Sequence, residues 1–122
     1  MKRVEVLNHK GREIVYIDFS NFEIKDYDEF KATIEDAKNV VKNFPPNSAY
    51  TLVNFTNLRF STQFLAELKE LTFHNKPYVK NGAVFGVQGL QKVVFDAVMR
   101  ITGRDLPILN SKEEGLDWLS EV

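Results

Sequence analysis

Side chains able to break bonds or hold metal ions are few in this 122-residue chain, and their spacing is poor. There is no cysteine, which removes disulfides, thiolate nucleophiles and cysteine-ligated zinc or iron–sulfur sites together. The two histidines, His9 and His74, are far apart in the chain and neither has a carboxylate at ligand spacing. His9 falls in a loop. His74 falls near a helix C-terminus, where an imidazolium suits the dipole, so both read as surface residues. Gly82, Gly86 and Gly89 form G-x-x-x-G-x-x-G, which matches neither the dinucleotide-binding nor the P-loop spacing. That run reads as close strand–helix packing. No catalytic residue, metal site or cofactor is expected.

Hydrogen-bonding residues without titratable character remain. Ser61 and Thr62 stand where a helix begins. Either is explained as a cap, and a phosphate there would gain from the helix dipole, with Arg59 close by. The positions expected at the carboxyl ends of strands are Ser20, Asn21, Asn54, Thr56, Asn57, Gln88, Asn110 and Ser111. Ligands of open α/β sheets sit at such ends. Acid–base catalysis needs groups that titrate, and these are neutral. The set reads either as ordinary caps and turn formers or as a rim suited to docking and to recognition of an uncharged or phosphorylated group.

The elements that would carry these residues follow from periodicity. Val4–Leu7 and Glu13–Phe19 flank the loop 8–12 and read as a β-hairpin. Asp26 with Glu29 resembles a capping box, opening a helix whose apolar stripe is Tyr27, Phe30, Ile34, Ala37, Val41 and Phe44 and which Pro45-Pro46 ends. Strand Tyr50–Phe55 leads to a second helix, packed through Phe64, Leu65 and Leu68 and stopping before Pro77. Strand Ala83–Val87 precedes a third helix, from Gly89 to about Thr102-Gly103. Strand Leu106–Leu109 precedes a last helix, capped by Ser111 with Glu114 and carrying Leu116, Trp118 and Leu119. Alternating strands and helices imply crossovers and a sheet of mixed but mostly parallel strands, five in all, within one α/β domain spanning residues 1–122.

Helix three carries the one surface expectation. Leu90, Val93, Val94, Ala97, Val98 and Ile101 make a complete apolar face. On a wheel of ~100° per residue, Phe95 and Met99 fall off that face beside the charged row Lys92, Asp96 and Arg100. The pair reads as an interface, unless the N-terminal strand or the last helix covers it.

An N-terminal hairpin followed by four βα units resembles the SpoIIAA-like fold of the STAS (sulfate transporter and anti-sigma-factor antagonist) domains, in an uncharacterised, divergent branch. The local features carrying the resemblance are the glycine-flanked strand Asn81-Gly82-Ala83-Val84-Phe85-Gly86-Val87, the helix end Arg100-Ile101-Thr102-Gly103-Arg104, and the segment from Leu106 to Leu119. In the family's regulators, a strand ending in Asp leads to an Asp-Ser-Ser-Gly-type turn whose serine is phosphorylated. Here Asn54 replaces that Asp, and neither the turn's Asp nor its Gly is near Ser61. The resemblance implies a non-enzymatic regulatory or protein-interaction module, partnered by another protein or by itself as a homodimer. The alternative is a carrier of a small apolar, lipid-like ligand.

Charge and hydropathy bound the setting. The net charge of −1, without a basic cluster, argues against nucleic-acid binding. The basic start Met1-Lys2-Arg3 is followed by too short an apolar run for a secretory signal, and no apolar stretch approaches the ~20 residues of a membrane span. A cytoplasmic protein is expected.

Overall fold

The computed structural model describes residues 2–122. The chain runs β1 (Val4–His9), β2 (Arg12–Asp18), α1 (Tyr27–Val41), β3 (Ala49–Asn54), α2 (Thr62–Asn75), β4 (Val79–Phe85), α3 (Leu90–Thr102), β5 (Ile108–Leu109) and α4 (Lys112–Glu121). The five strands form one sheet in chain order. β1 and β2 pair antiparallel, and β2, β3, β4 and β5 run parallel.

The expected architecture is present, with shifted boundaries. The hairpin strands extend until His9 pairs with Arg12. That leaves only Lys10 and Gly11 in the turn, at φ 51° and 83°, the signs of a type I′ connection. β4 begins at Val79 rather than Ala83, because Val79 and Asn81 still pair with Ala49 and Tyr50 of β3, across a bulge that leaves Lys80 unpaired. β5 shrinks to Ile108–Leu109, since Pro107 has no N–H, although its carbonyl accepts from Val84 N–H at 3.0 Å. The Asp26–Glu29 capping box is absent. Asp26 instead accepts the N–H of Glu23 at 2.9 Å, closing a single 3₁₀ turn ahead of α1. Ser111 does cap α4, accepting Glu114 N–H at 3.1 Å.

Strands added in one direction through right-handed crossovers put their connecting helices on one face. α1, α2 and α3 accordingly share the larger core, through Phe30, Phe64 and Phe95 among others, while α4 covers the other face with Leu119 against Ile14, Leu52 and Ala83. Gly115 lets α4 approach the sheet. A Cβ there would lie 2.5 Å from a methyl group of Leu52.

α3 is turned relative to the sequence expectation, and of the expected core face Val98 is buried. Phe95 and Met99 are core residues, 6% and 9% exposed, whereas Leu90, Val93 and Ile101 are 85%, 65% and 60% exposed. The helix has apolar residues on two opposed arcs, and a wheel cannot say which arc meets the sheet. Tertiary packing selects the bulkier side chains. Phe95 reaches the ring of Phe55 edge-on, centroids 6.2 Å apart, and Val98, Met99 and Thr102 complete a narrow buried strip. The short β5 edge gives α3 little more to cover.

Two clasps join α4 to the hairpin tip: His9 Nε2 lies 2.7 Å from Asp117 Oδ1, with Lys10 Nζ at 3.1 Å, and Arg12 donates to the Leu119 carbonyl at 3.0 Å. The hydrogen bond from His9 and then that from Lys10 hold the Asp117 carboxyl below its ordinary pKa.

Phe95→Ala is expected to cost about 3–5 kcal/mol in urea unfolding, while Leu90→Ala stays within about 0.5 kcal/mol. The reverse order would restore the wheel's assignment. The lowered Asp117 pKa means its clasp stabilises the fold above the ordinary carboxylate range of about pH 4 and is lost as pH falls through the lowered value. The stability gap between wild type and Asp117→Asn should therefore be present above that range and close in acid. A gap independent of pH down to acid unfolding would show that the carboxylate charge is not what matters.

Candidate functional site

The strand ends gather at one rim because β2, β3, β4 and β5 are parallel. The neutral residues expected there are present, and most of their hydrogen bonds hold loops and caps together. Asn54, ending β3, donates from its amide to the Tyr16 hydroxyl at 3.1 Å and accepts the Thr56 N–H at 2.9 Å. Thr56 in turn accepts the Asn21 N–H through its carbonyl, at 2.9 Å. Asn21 and Asn57 both adopt left-handed backbone, φ 63° and 57°, and their side chains join at 3.1 Å. Asparagine tolerates that region better than most residues, so these are turn formers by conformation. The Ser20 N–H meets the Asp18 carboxylate at 2.8 Å. Asn110 donates to Glu114 at 3.3 Å, and Gln88 uses its main-chain N–H towards Gln91 at 3.3 Å while standing exposed.

Ser61 caps α2, accepting Phe64 N–H at 3.2 Å, and Thr62 is the exposed first residue of the helix. His9 and His74 lie on different elements and have different partners: His9 is clasped to α4, and His74 Nδ1 sits 3.0 Å from the Asn75 side chain. Among the described residues no group of three or more His, Asp and Glu could hold a metal ion.

Tyr16 is a feature the sequence reading passed over. Its ring stacks on Phe85 at 6.5 Å, and Lys112 Nζ lies 4.2 Å from its centroid. Burial raises the phenol's pKa, with the Asn54 hydrogen bond working against that shift. The Asn54 amide caps the phenol oxygen, and the nearby Asp18 and Glu5 carboxylates add to the upward shift. Period-2 alternation marks Tyr16 as facing inward, but only the sheet's register brings Asn54 beside it.

Three features outside the rim have the form of a binding surface. One is an interior cavity of about 40 Å³ between α2, α3 and the sheet, bounded by Phe55, Leu68, Met99 and Arg104 among others. Small-molecule sites run from roughly 300 Å³. Arg104 reaches its edge, donating to the Thr72 carbonyl at 3.0 Å, and burial lowers its pKa. The second is the exposed apolar row Leu90, Val93 and Ile101 on the outer side of α3. The third is a groove of about 690 Å³ between α3 and β5, floored by Phe95, Met99, Leu106 and Ile108 and lined by the charged Lys92, Asp96, Arg100, Arg104 and Asp105. The sequence reading placed Phe95 and Met99 beside Lys92 and Arg100, as the groove has them, but expected them exposed and Leu90, Val93 and Ile101 buried.

Asn54→Ala leaves the Tyr16 hydroxyl and the Thr56 N–H without their partners, and is expected to cost about 1–3 kcal/mol by chemical denaturation. A neutral result would mean that water replaces the amide and that Asn54 is free for another role.

No protein-family model matches the sequence, and no curated protein matches it either. Two of the solved structures that match do so over nearly the whole chain. An uncharacterised protein of the DUF3478 family from Shewanella loihica PV-4, described as having a SpoIIAA-like fold, superposes with a TM-score of 0.64 at 17% identity, over 95% of this chain and 91% of that one. An anti-sigma-factor antagonist (STAS) domain protein from Planctomyces limnophilus superposes with a TM-score of 0.51 at 14% identity, over 96% and 97%. The hairpin, the parallel strands and the helices on both faces are thus those of a known architecture: this chain has the SpoIIAA-like fold.

Proposed function

We propose that the domain is a non-catalytic, cytoplasmic interaction module that docks through the outer face of α3, and that a second copy of the chain is the occupant this face fits. The observation carrying this reading is the row Leu90, Val93 and Ile101, apolar and mostly in solvent on a helix whose opposite side is buried. Leaving such residues in water forgoes roughly 1.5–3 kcal/mol each, so a fold that presents a row of them gains by covering it. Ala97 lies in the middle of the row, with Val93 and Ile101 one turn to either side. In an antiparallel pair crossing at Ala97, the small centres let the helices approach, and Val93 of one copy meets Ile101 of the other. That is the self-complementarity a two-fold contact requires. The rim supports a non-catalytic reading, since its asparagines and serines are engaged in holding loops and caps.

A carrier of a lipid-like ligand is disfavoured by the 40 Å³ interior cavity. A nucleic-acid role is disfavoured by the net charge of −1.

Light scattering of the purified protein is expected to give a dimer mass. Val93→Glu with Ile101→Glu should give a monomer of nearly unchanged thermal stability, because both residues are exposed. Mixing that variant with Val93→Lys, Ile101→Lys should restore a mixed dimer through charge pairing. A wild type that stays monomeric up to its solubility limit would overturn the α3 contact.

A further inference from the structure

We propose that the groove between α3 and β5 binds an extended segment of a partner protein, added to the sheet as a further strand, with acidic residues flanking an apolar anchor. This goes beyond the dimer contact and does not depend on it, because the groove lies along the charged side of α3 and the apolar row on its outer side.

The first support is the open sheet edge. β5 ends the sheet and pairs only with β4. In that parallel ladder Val84 N–H donates to the Pro107 carbonyl, and Val84 is opposite Ile108. The alternation of a parallel ladder then turns the N–H and C=O of Ile108 towards the open side. An extended peptide satisfies such groups by strand addition, the mode of recognition at exposed sheet edges beside a groove. A two-residue strand preceded by a proline is a poor template for pairing with a whole second sheet, and it suits one short segment.

The second support is the groove itself. Its volume of about 690 Å³ lies within the range of binding clefts; half-buried Leu106 and Ile108, with the edges of Phe95 and Met99, give its floor an apolar strip, and Arg104 and Asp105 line the end beyond it. The side chain of Ile108 belongs to the α3 side of the sheet, so an added strand would place alternate side chains over that floor.

Charge and spacing supply the third. Lys92 and Arg100 stand exposed on the helical rim, and among the described residues neither has a carboxylate within ion-pair distance. Eight helical residues separate them by about 12 Å. An extended peptide covers about 13 Å between positions i and i+4, whose side chains share one face. Carboxylates at i and i+4 therefore match the two cations, and the residue at i+2 enters the floor between them. Asp96, midway between the cations, disfavours a third acid at that place.

The probe is the fluorescent peptide acetyl-Thr-Glu-Thr-Ile-Thr-Glu-Thr-amide, read by anisotropy and by amide NMR shifts of the full chain. Binding is expected, with shifts at Ile108 and along α3. The same peptide with Lys for both Glu should bind about tenfold more weakly. Lys92→Glu with Arg100→Glu should reverse that preference without altering thermal stability, since both side chains are exposed. A copy of the peptide N-methylated at alternate backbone amides should not bind. Equal binding of acidic and basic peptides, retained binding after N-methylation, or no binding would each overturn the proposal. Shifts at Ile108 that appear on concentrating the protein alone, with none on adding peptide, would assign the groove to a second copy and overturn it as well.

Discussion

The ring of Phe30, fully buried on α1, stacks on Phe64 of α2 at 4.1 Å, and the rest of the helical layer is arranged around that contact. Phe19, just past β2, lies 5.1 Å from the same ring, and Phe22 meets it edge-on at 5.5 Å. Phe55, which follows β3, stacks in turn on Phe19 at 6.0 Å. One aromatic cluster thus joins the exits of β2 and β3 to the helices α1 and α2. Offset and edge-on aromatic pairs contribute beyond their buried area, and each ring immobilises a different element. The strand-end rim is held by the same cluster, because Phe19 and Phe55 are the residues from which its loops depart.

α3 lies at the border of this arrangement. It reaches the cluster through a single ring, Phe95 against Phe55, and covers a sheet edge that ends in a two-residue strand. A helix over a narrow edge buries a narrow strip. The remaining apolar side chains, far from any partner within the chain, are left outside. The same narrowness keeps the flank between α3 and β5 open as a groove. Both surfaces therefore have one origin, namely a sheet that stops too early for its last crossover helix.

The rim illustrates how one residue type can serve either chemistry or architecture. Asparagine and serine bind ligands well, yet the same donors and acceptors stand in for missing backbone partners at turns and helix starts. Here Asn54 joins Tyr16 to Thr56, Asn21 and Asn57 close paired left-handed turns, and Ser61 and Ser111 begin helices. The likeness to solved SpoIIAA-like structures at 14% and 17% identity is a likeness of architecture. It accords with a rim whose polar residues maintain loops.

Local chemistry made much of this legible in advance. The period-2 run in β2, the glycine in the hairpin turn, the prolines after α1, the serine caps and the absence of cysteine each act within a few residues, so each could be read from sequence alone. They settle element order, the parallel sheet and the lack of thiol chemistry. Boundaries at β4 and β5 escaped, because pairing with a neighbour can extend a strand through Lys80 and Asn81, and Pro107 can shorten one. The facing of α3 escaped for a deeper reason. Its sequence is apolar on two sides, and periodicity measures amphipathicity without saying where the core is. Only the hollow beside Phe55, assembled from strands and helices distant in the chain, had room for Phe95 and Met99, and filling it turned Leu90, Val93 and Ile101 to the solvent.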